Sequence, residues 1–181
     1  MDSIDLARLS REARGRYERA RLGLSFAGAT PVLLIVAAAA LLGKRPSSVA
    51  LFGGLLFVTG IVLLWRGRDF RLALWPGVLS GLIPLVFALV ANYGHGCSGD
   101  HCSSLCVPAC TFGGVTAGVV VSVVATRLKL GWGFWLSAST VSMLTGAMGC
   151  ACVGYSGVLA LVGGFAVGLT PQFARRVFAS R

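Results

Sequence analysis

From Leu130 to Ala174 the chain reads LGWGFWLSASTVSMLTGAMGCACVGYSGVLALVGGFAVGLTPQFA, 45 residues without one charged side chain. A helix needs about 20 apolar residues to cross a hydrocarbon core of ~30 Å, so this stretch predicts two crossings joined by a fold-back. The turn falls at Gly149-Cys150-Ala151-Cys152-Val153-Gly154-Tyr155, where glycines interrupt the run and a tyrosine can anchor at the interface. Towards the N-terminus, further charge-free stretches run from Cys102 to Thr126, Leu72 to Gly99, Pro46 to Trp65 and Leu22 to Gly43. Composition agrees: 56% of the 181 residues are hydrophobic and 12% charged, against about 45–50% and about 25% in soluble domains. The expected fold is all-α, a polytopic membrane protein with six transmembrane helices near 24–43, 48–65, 72–93, 109–126, 132–149 and 155–171.

The net charge of +10 raises the question of a nucleic-acid partner, and the positions of the charges answer it. Arg8, Arg11, Arg14, Arg16, Arg19 and Arg21 precede the first span, and Arg66, Arg68 and Arg71 follow the second. Arg127 and Lys129 follow the fourth, and Arg175, Arg176 and Arg181 follow the sixth. With six spans, fourteen of the 16 basic residues share one face and only Lys44 and Arg45 lie opposite. The positive-inside bias then puts both termini in the cytoplasm, at an inner or plasma membrane, and the expected partner is the lipid bilayer with no direct nucleic acid. A five-span reading would send Arg175 and Arg176 outside. The polar lead of more than 20 residues and the lack of an A-x-A-like site speak against a cleaved signal peptide.

Residues 24–171 form the expected transmembrane domain, between a basic lead at 1–23 and a basic cytoplasmic tail at 172–181. Lipid tails are as apolar as leucine, so small residues must supply much of the helix association. Gly77 and Gly81, Gly114 and Gly118, and Gly164 and Gly168 form three GxxxG pairs, and Ala138, Ser142 and Gly146 line a stripe of the fifth helix. They are read as helix contact faces. Pro31, Pro76 and Pro84 are expected to start or kink helices.

The lead has its own pattern. Leu6, Leu9, Ala13, Tyr17, Ala20 and Leu24 fall within an arc of about 80° at 100° per residue, and most of the arginines lie off it. Residues 1–23 therefore predict an amphipathic cytoplasmic helix that rests on an anionic leaflet or docks a cytoplasmic protein through Leu6, Leu9 and Tyr17.

In this topology the six cysteines face away from the cytoplasm. Cys97, Cys102, Cys106 and Cys110 lie in or at the lip of a loop at 94–109, and Cys150 and Cys152 in the fold-back turn. An even number of cysteines facing an oxidising compartment reads most simply as disulfides. A Cys150–Cys152 bridge would be a strained short ring, so one of the two is expected to reach the long loop. The only histidines, His95 and His101, fall in the same loop. Thiolate plus imidazole would also suit zinc, copper or another soft metal, although the spacing lacks the C-x2-C pairs of a zinc ribbon. Disulfide, bound metal and reversible thiol chemistry all remain open readings.

No Asp, Glu, Lys, Arg or His lies inside the six expected spans, which argues against proton- or ion-coupled transport. No phosphate-binding loop, H-E-x-x-H or nucleophile elbow occurs, so the expectation is not an enzyme.

The basic lead, six helices, cysteines in the second and third extracytoplasmic loops, and a last helix ending at Gly168-Leu169-Thr170-Pro171-Gln172-Phe173-Ala174-Arg175-Arg176 resemble the NrsF-like membrane anti-sigma factors of bacteria. The resemblance implies a cytoplasmic N-terminus that holds a sigma factor and loop cysteines that report metal or oxidant stress. This chain departs from that pattern with four cysteines in one loop and Cys-x-Cys in the other. Two functions follow as expectations: a redox- or metal-sensing membrane regulator, or a passive channel or transporter for a metal ion or small solute.

Overall fold

Inside lipid every backbone N–H and C=O needs a partner within its own segment, which long apolar runs supply by forming helices. The computed structural model describes the backbone of residues 3–42, 46–66, 68–94, 103–151 and 154–179, and the side chains of residues 12–41, 47–66, 72–91, 106–151 and 154–171. It holds six helices, α1 (Ser3–Leu42), α2 (Pro46–Arg66), α3 (Arg68–Gly94), α4 (Ser103–Arg127), α5 (Trp132–Cys150) and α6 (Tyr155–Ala179), and no strand among the described residues.

Four of them contain segments long and apolar enough to cross a membrane: Glu12–Leu41, Ser47–Arg66, Leu72–Ala91 and Cys106–Arg127, with mean hydropathies of 2.1, 2.2, 2.0 and 1.9. Tyr155–Pro171 is apolar but shorter. The fifth helix sits among the others. It packs against α2, α3, α4 and α6 and buries Phe134, Trp135, Ser137, Ala138, Val141, Ser142, Thr145 and the run from Gly146 to Cys150. A helix screened from lipid by its neighbours can carry glycine and hydroxyl side chains. The Ser137 hydroxyl donates to the Gly133 carbonyl at 2.7 Å and that of Thr145 to Val141 at 2.8 Å, so these groups are satisfied within the helix.

The outer faces are apolar. Leu34, Leu41, Phe112, Leu136, Leu159 and Val167 are all exposed, a surface that water would not tolerate over this extent and lipid would.

Two helix pairs make the most extensive contacts, α4 with α6 and α3 with α5. Glycines set both. Built on Gly118, a Cβ would lie 2.5 Å from the Phe165 carbonyl oxygen, and at Gly114, Gly164 and Gly168 it would strike the Leu161, Thr111 and Val115 carbonyls. On Gly77 it would meet the Ala138 carbonyl oxygen at 2.9 Å, and on Gly81 that of Ser142 at 2.6 Å. Residue numbers rise together across each interface, so both pairs are parallel. Gly28 lies against Leu64 and Gly53 against Val36, so α1 and α2 form an antiparallel hairpin. That hairpin joins the rest through contacts of α2 with α5 and α3.

The helices run past three of the expected span limits. A single helix, α1, runs 40 residues across the expected start of the first span at 24 and through Pro31, so the basic lead and the first apolar segment form one helix of about 60 Å at 1.5 Å per residue. The fourth helix begins at Ser103, not 109, and includes Pro108. The sixth passes Pro171 and ends at Ala179. In each case the proline gives up one helical hydrogen bond while the rest of the ladder continues.

Candidate thiol site

The site forms where α3, α4 and α5 converge near the end of the bundle that carries the C-terminus of α5. Pro84 of α3 is wedged between two glycines. A Cβ on Gly113 of α4 would lie 2.6 Å from the Pro84 Cα, and one on Gly146 of α5 would lie 2.8 Å from the Pro84 Cγ. One turn further towards that end, at i+4 on α3, i−3 on α4 and i+4 on α5, stand Ala88, Cys110 and Cys150.

Cys110 and Cys150 are in side-chain hydrogen-bond contact, both with 0% exposure, in an apolar cluster with Ala88, Ala147 and Leu161. Cys106, one turn before Cys110 on α4, is also buried. All three are thiols and not half-cystines. Cys106 and Cys110 therefore belong to the helix, where the sequence reading had put them in or at the lip of a loop. Cys150 is the last residue of α5, where the same reading had it in a turn.

His95, Cys97, His101, Cys102 and Cys152 lie outside the described residues. Among the described residues, no three or more His, Cys, Asp or Glu side chains converge to hold a metal ion. The pair at Cys110 and Cys150 offers two sulfur ligands, which suits linear coordination and falls short of the four that zinc takes in a structural site. Sequence reasoning missed Pro84, Ala88 and Gly113 as parts of the site. The usable signal was the i,i+4 spacing of Cys106 and Cys110, which places both on one helix face.

The contact register puts the thiols and the start of α1 at opposite ends of the bundle. Gly60 of α2 faces Leu74 of α3, so α2 and α3 are antiparallel, and α1, α3 and α5 all start at the same end. On α1, Glu12, Arg14, Arg16, Tyr17, Glu18 and Arg19 are described, and the Tyr17 ring is 66% exposed. The side chains of Leu6 and Leu9 lie outside the described residues.

Six helices, their apolar outer faces and glycine-set contacts define a multi-pass helical membrane protein. Compared with known protein families, with curated proteins and with solved structures, the chain gives no match.

Proposed function

We propose that this is an integral membrane regulator of the bacterial inner membrane, with six crossings and both termini cytoplasmic. In this reading its thiol-bearing end faces the outside and senses redox state or a soft metal, and the start of α1 holds a cytoplasmic partner such as a sigma factor. One observation carries the reading: a buried pair of thiols in contact, Cys110 with Cys150, lies at the end of the bundle opposite the exposed charges Glu12, Arg14, Arg16, Glu18 and Arg19 of α1. Free cysteine commonly fills cores as a small hydrophobe, but unlike leucine it can also be oxidised or bind a soft metal, and two adjoining thiols supply both partners of a disulfide. The exposed Tyr17 and its flanking charges supply a surface suited to protein docking.

The test is purification of the full-length protein from its native membranes, beside a Leu6→Ala/Leu9→Ala variant. A sigma-factor-class partner should copurify with the unaltered chain and fall at least tenfold with the variant, while insertion is unchanged. Equal recovery of the same proteins with both chains would overturn the reading and turn attention to solute flux through the bundle.

A further inference from the structure

The thiol pair permits a more specific statement than sensing by loop cysteines. Cys110 belongs to the α4·α6 pair and Cys150 to the α3·α5 pair, and α4 touches α5 less extensively than either touches its main partner. At the other end α4 and α5 are joined by the short Leu128–Gly131 connection, where the Leu130 N–H donates to the Ala125 carbonyl at 3.1 Å. The two helices are thus a hairpin, tied at one end, with Pro84 wedged between Gly113 and Gly146 one turn short of the open end. At the open end the described residues that meet are the two thiols with Ala88, Ala147 and Leu161.

We propose that Cys110 and Cys150 form a reversible disulfide by exchange with a small apolar disulfide that reaches the open end of this hairpin. The geometry favours a neutral product: among the described residues, the side chains packed with the sulfurs, Ala88, Ala147 and Leu161, are apolar, and an uncompensated ion there would be costly. Cys150 ends its helix, so fraying of a single turn exposes it.

In the first step one cysteine loses its proton and its sulfur attacks the oxidant. The oxidant's S–S bond breaks, and the released thiolate takes up a proton. The second cysteine then loses its proton and attacks the mixed disulfide, which forms the Cys110–Cys150 bond and expels the second thiol. Two protein thiols are oxidised, one small disulfide is reduced to two thiols, and those thiols carry both protons.

Closing the bond to about 2.05 Å would draw the open end of the hairpin together beyond the Pro84 wedge and press α4 and α5 against α3. Because α3 continues from the α1–α2 hairpin, oxidation at the thiol end has a route to the start of α1. The chemistry stands on the geometry alone; its use as a signal rests on the regulator reading above.

The test uses full-length protein with Cys97, Cys102, Cys106 and Cys152 changed to Ala, so that only the pair remains. Membranes are treated with dithiodipyridine, then denatured, alkylated and weighed. Two thiopyridone equivalents should be released per chain, with loss of both alkylation sites and their return on reduction. A Cys110→Ala version should instead hold one thiopyridine as a mixed disulfide.

Two persistent alkylation sites, or two bound thiopyridines per chain, would overturn the proposal. So would protection of the pair by mercuric ion alone without any disulfide under oxidant, an outcome that assigns a two-sulfur metal site instead. If the four-Ala chain does not insert, peptide mapping of the unaltered protein decides: a Cys110–Cys150 cross-linked peptide supports the pair, and pairing of either residue with another cysteine refutes it. Disulfide formation without any change in partner retention would leave the chemistry intact and sink the regulator reading.

Discussion

Lys129 holds a backbone conformation that most side chains avoid. Its φ is 49°, its N–H donates to the Thr126 carbonyl at 3.3 Å, and the Leu130 N–H reaches back to Ala125 at 3.1 Å. This is the hydrogen-bond pattern of a Schellman helix end, with lysine where glycine is usual. The left-handed conformation costs an L-residue about 1–2 kcal/mol, and the extra chain entropy of an unfolded glycine offsets about 0.5–1 kcal/mol of that. Lys129→Gly should therefore stabilise the protein by about 0.5–1 kcal/mol, read as a raised melting temperature in detergent. No change would mean that the lysine head group makes up the difference, for instance at a lipid phosphate. At Gly154, with φ of 91°, the sequence already supplies glycine. Ser142 is a contrasting case: its hydroxyl is buried without a hydrogen-bond partner, in the middle of the α3·α5 contact.

Among the elements, α4 and α6 associate through backbone that only glycine lets approach. A side chain at Gly164 would collide with the Thr111 carbonyl, whereas at the adjacent Gly163 nothing lies within 4 Å. Gly164→Val should cost about 2–3 kcal/mol, the upper part of the usual range for overpacking, while Gly163→Val should be close to neutral. Denaturant titration of both variants in detergent checks this, and equal losses would show that the α4·α6 register is wrong.

The GxxxG pairs were legible because their spacing is itself the packing rule. Which helix each pair meets was not, since the sequence does not say that α3 lies along α5 and not along α2. Helix number was readable from the length of the charge-free stretches. The start of α4 was hidden because Pro108 resembles a boundary and the surrounding bundle tolerates it. Cys110 and Cys150 come together from α4 and α5 in one buried cluster with Ala88 of α3, and no local pattern announces that arrangement.

For the whole molecule, everything proposed about signalling depends on two ends in two compartments. The contacts put the starts of α1, α3 and α5 at one end and the thiols at the other. Four segments are apolar and long enough to span by themselves, and in α6 the described apolar stretch is Tyr155–Pro171. The deciding crossing is α5, which packs against α2, α3, α4 and α6. If α5 crosses with its partners, six spans return the C-terminus to the cytoplasm with Arg175, Arg176 and Arg181. Failure of α5 alone would invert α6 and leave those arginines outside, against the positive-inside bias. The most direct measurement is therefore a dual reporter fused after Arg181, one half active only in the cytoplasm and the other only outside. The account predicts cytoplasmic activity alone. Extracytoplasmic activity would contradict it, because the six-span bundle, and with it the route from the thiol pair to the start of α1, would not exist in the membrane.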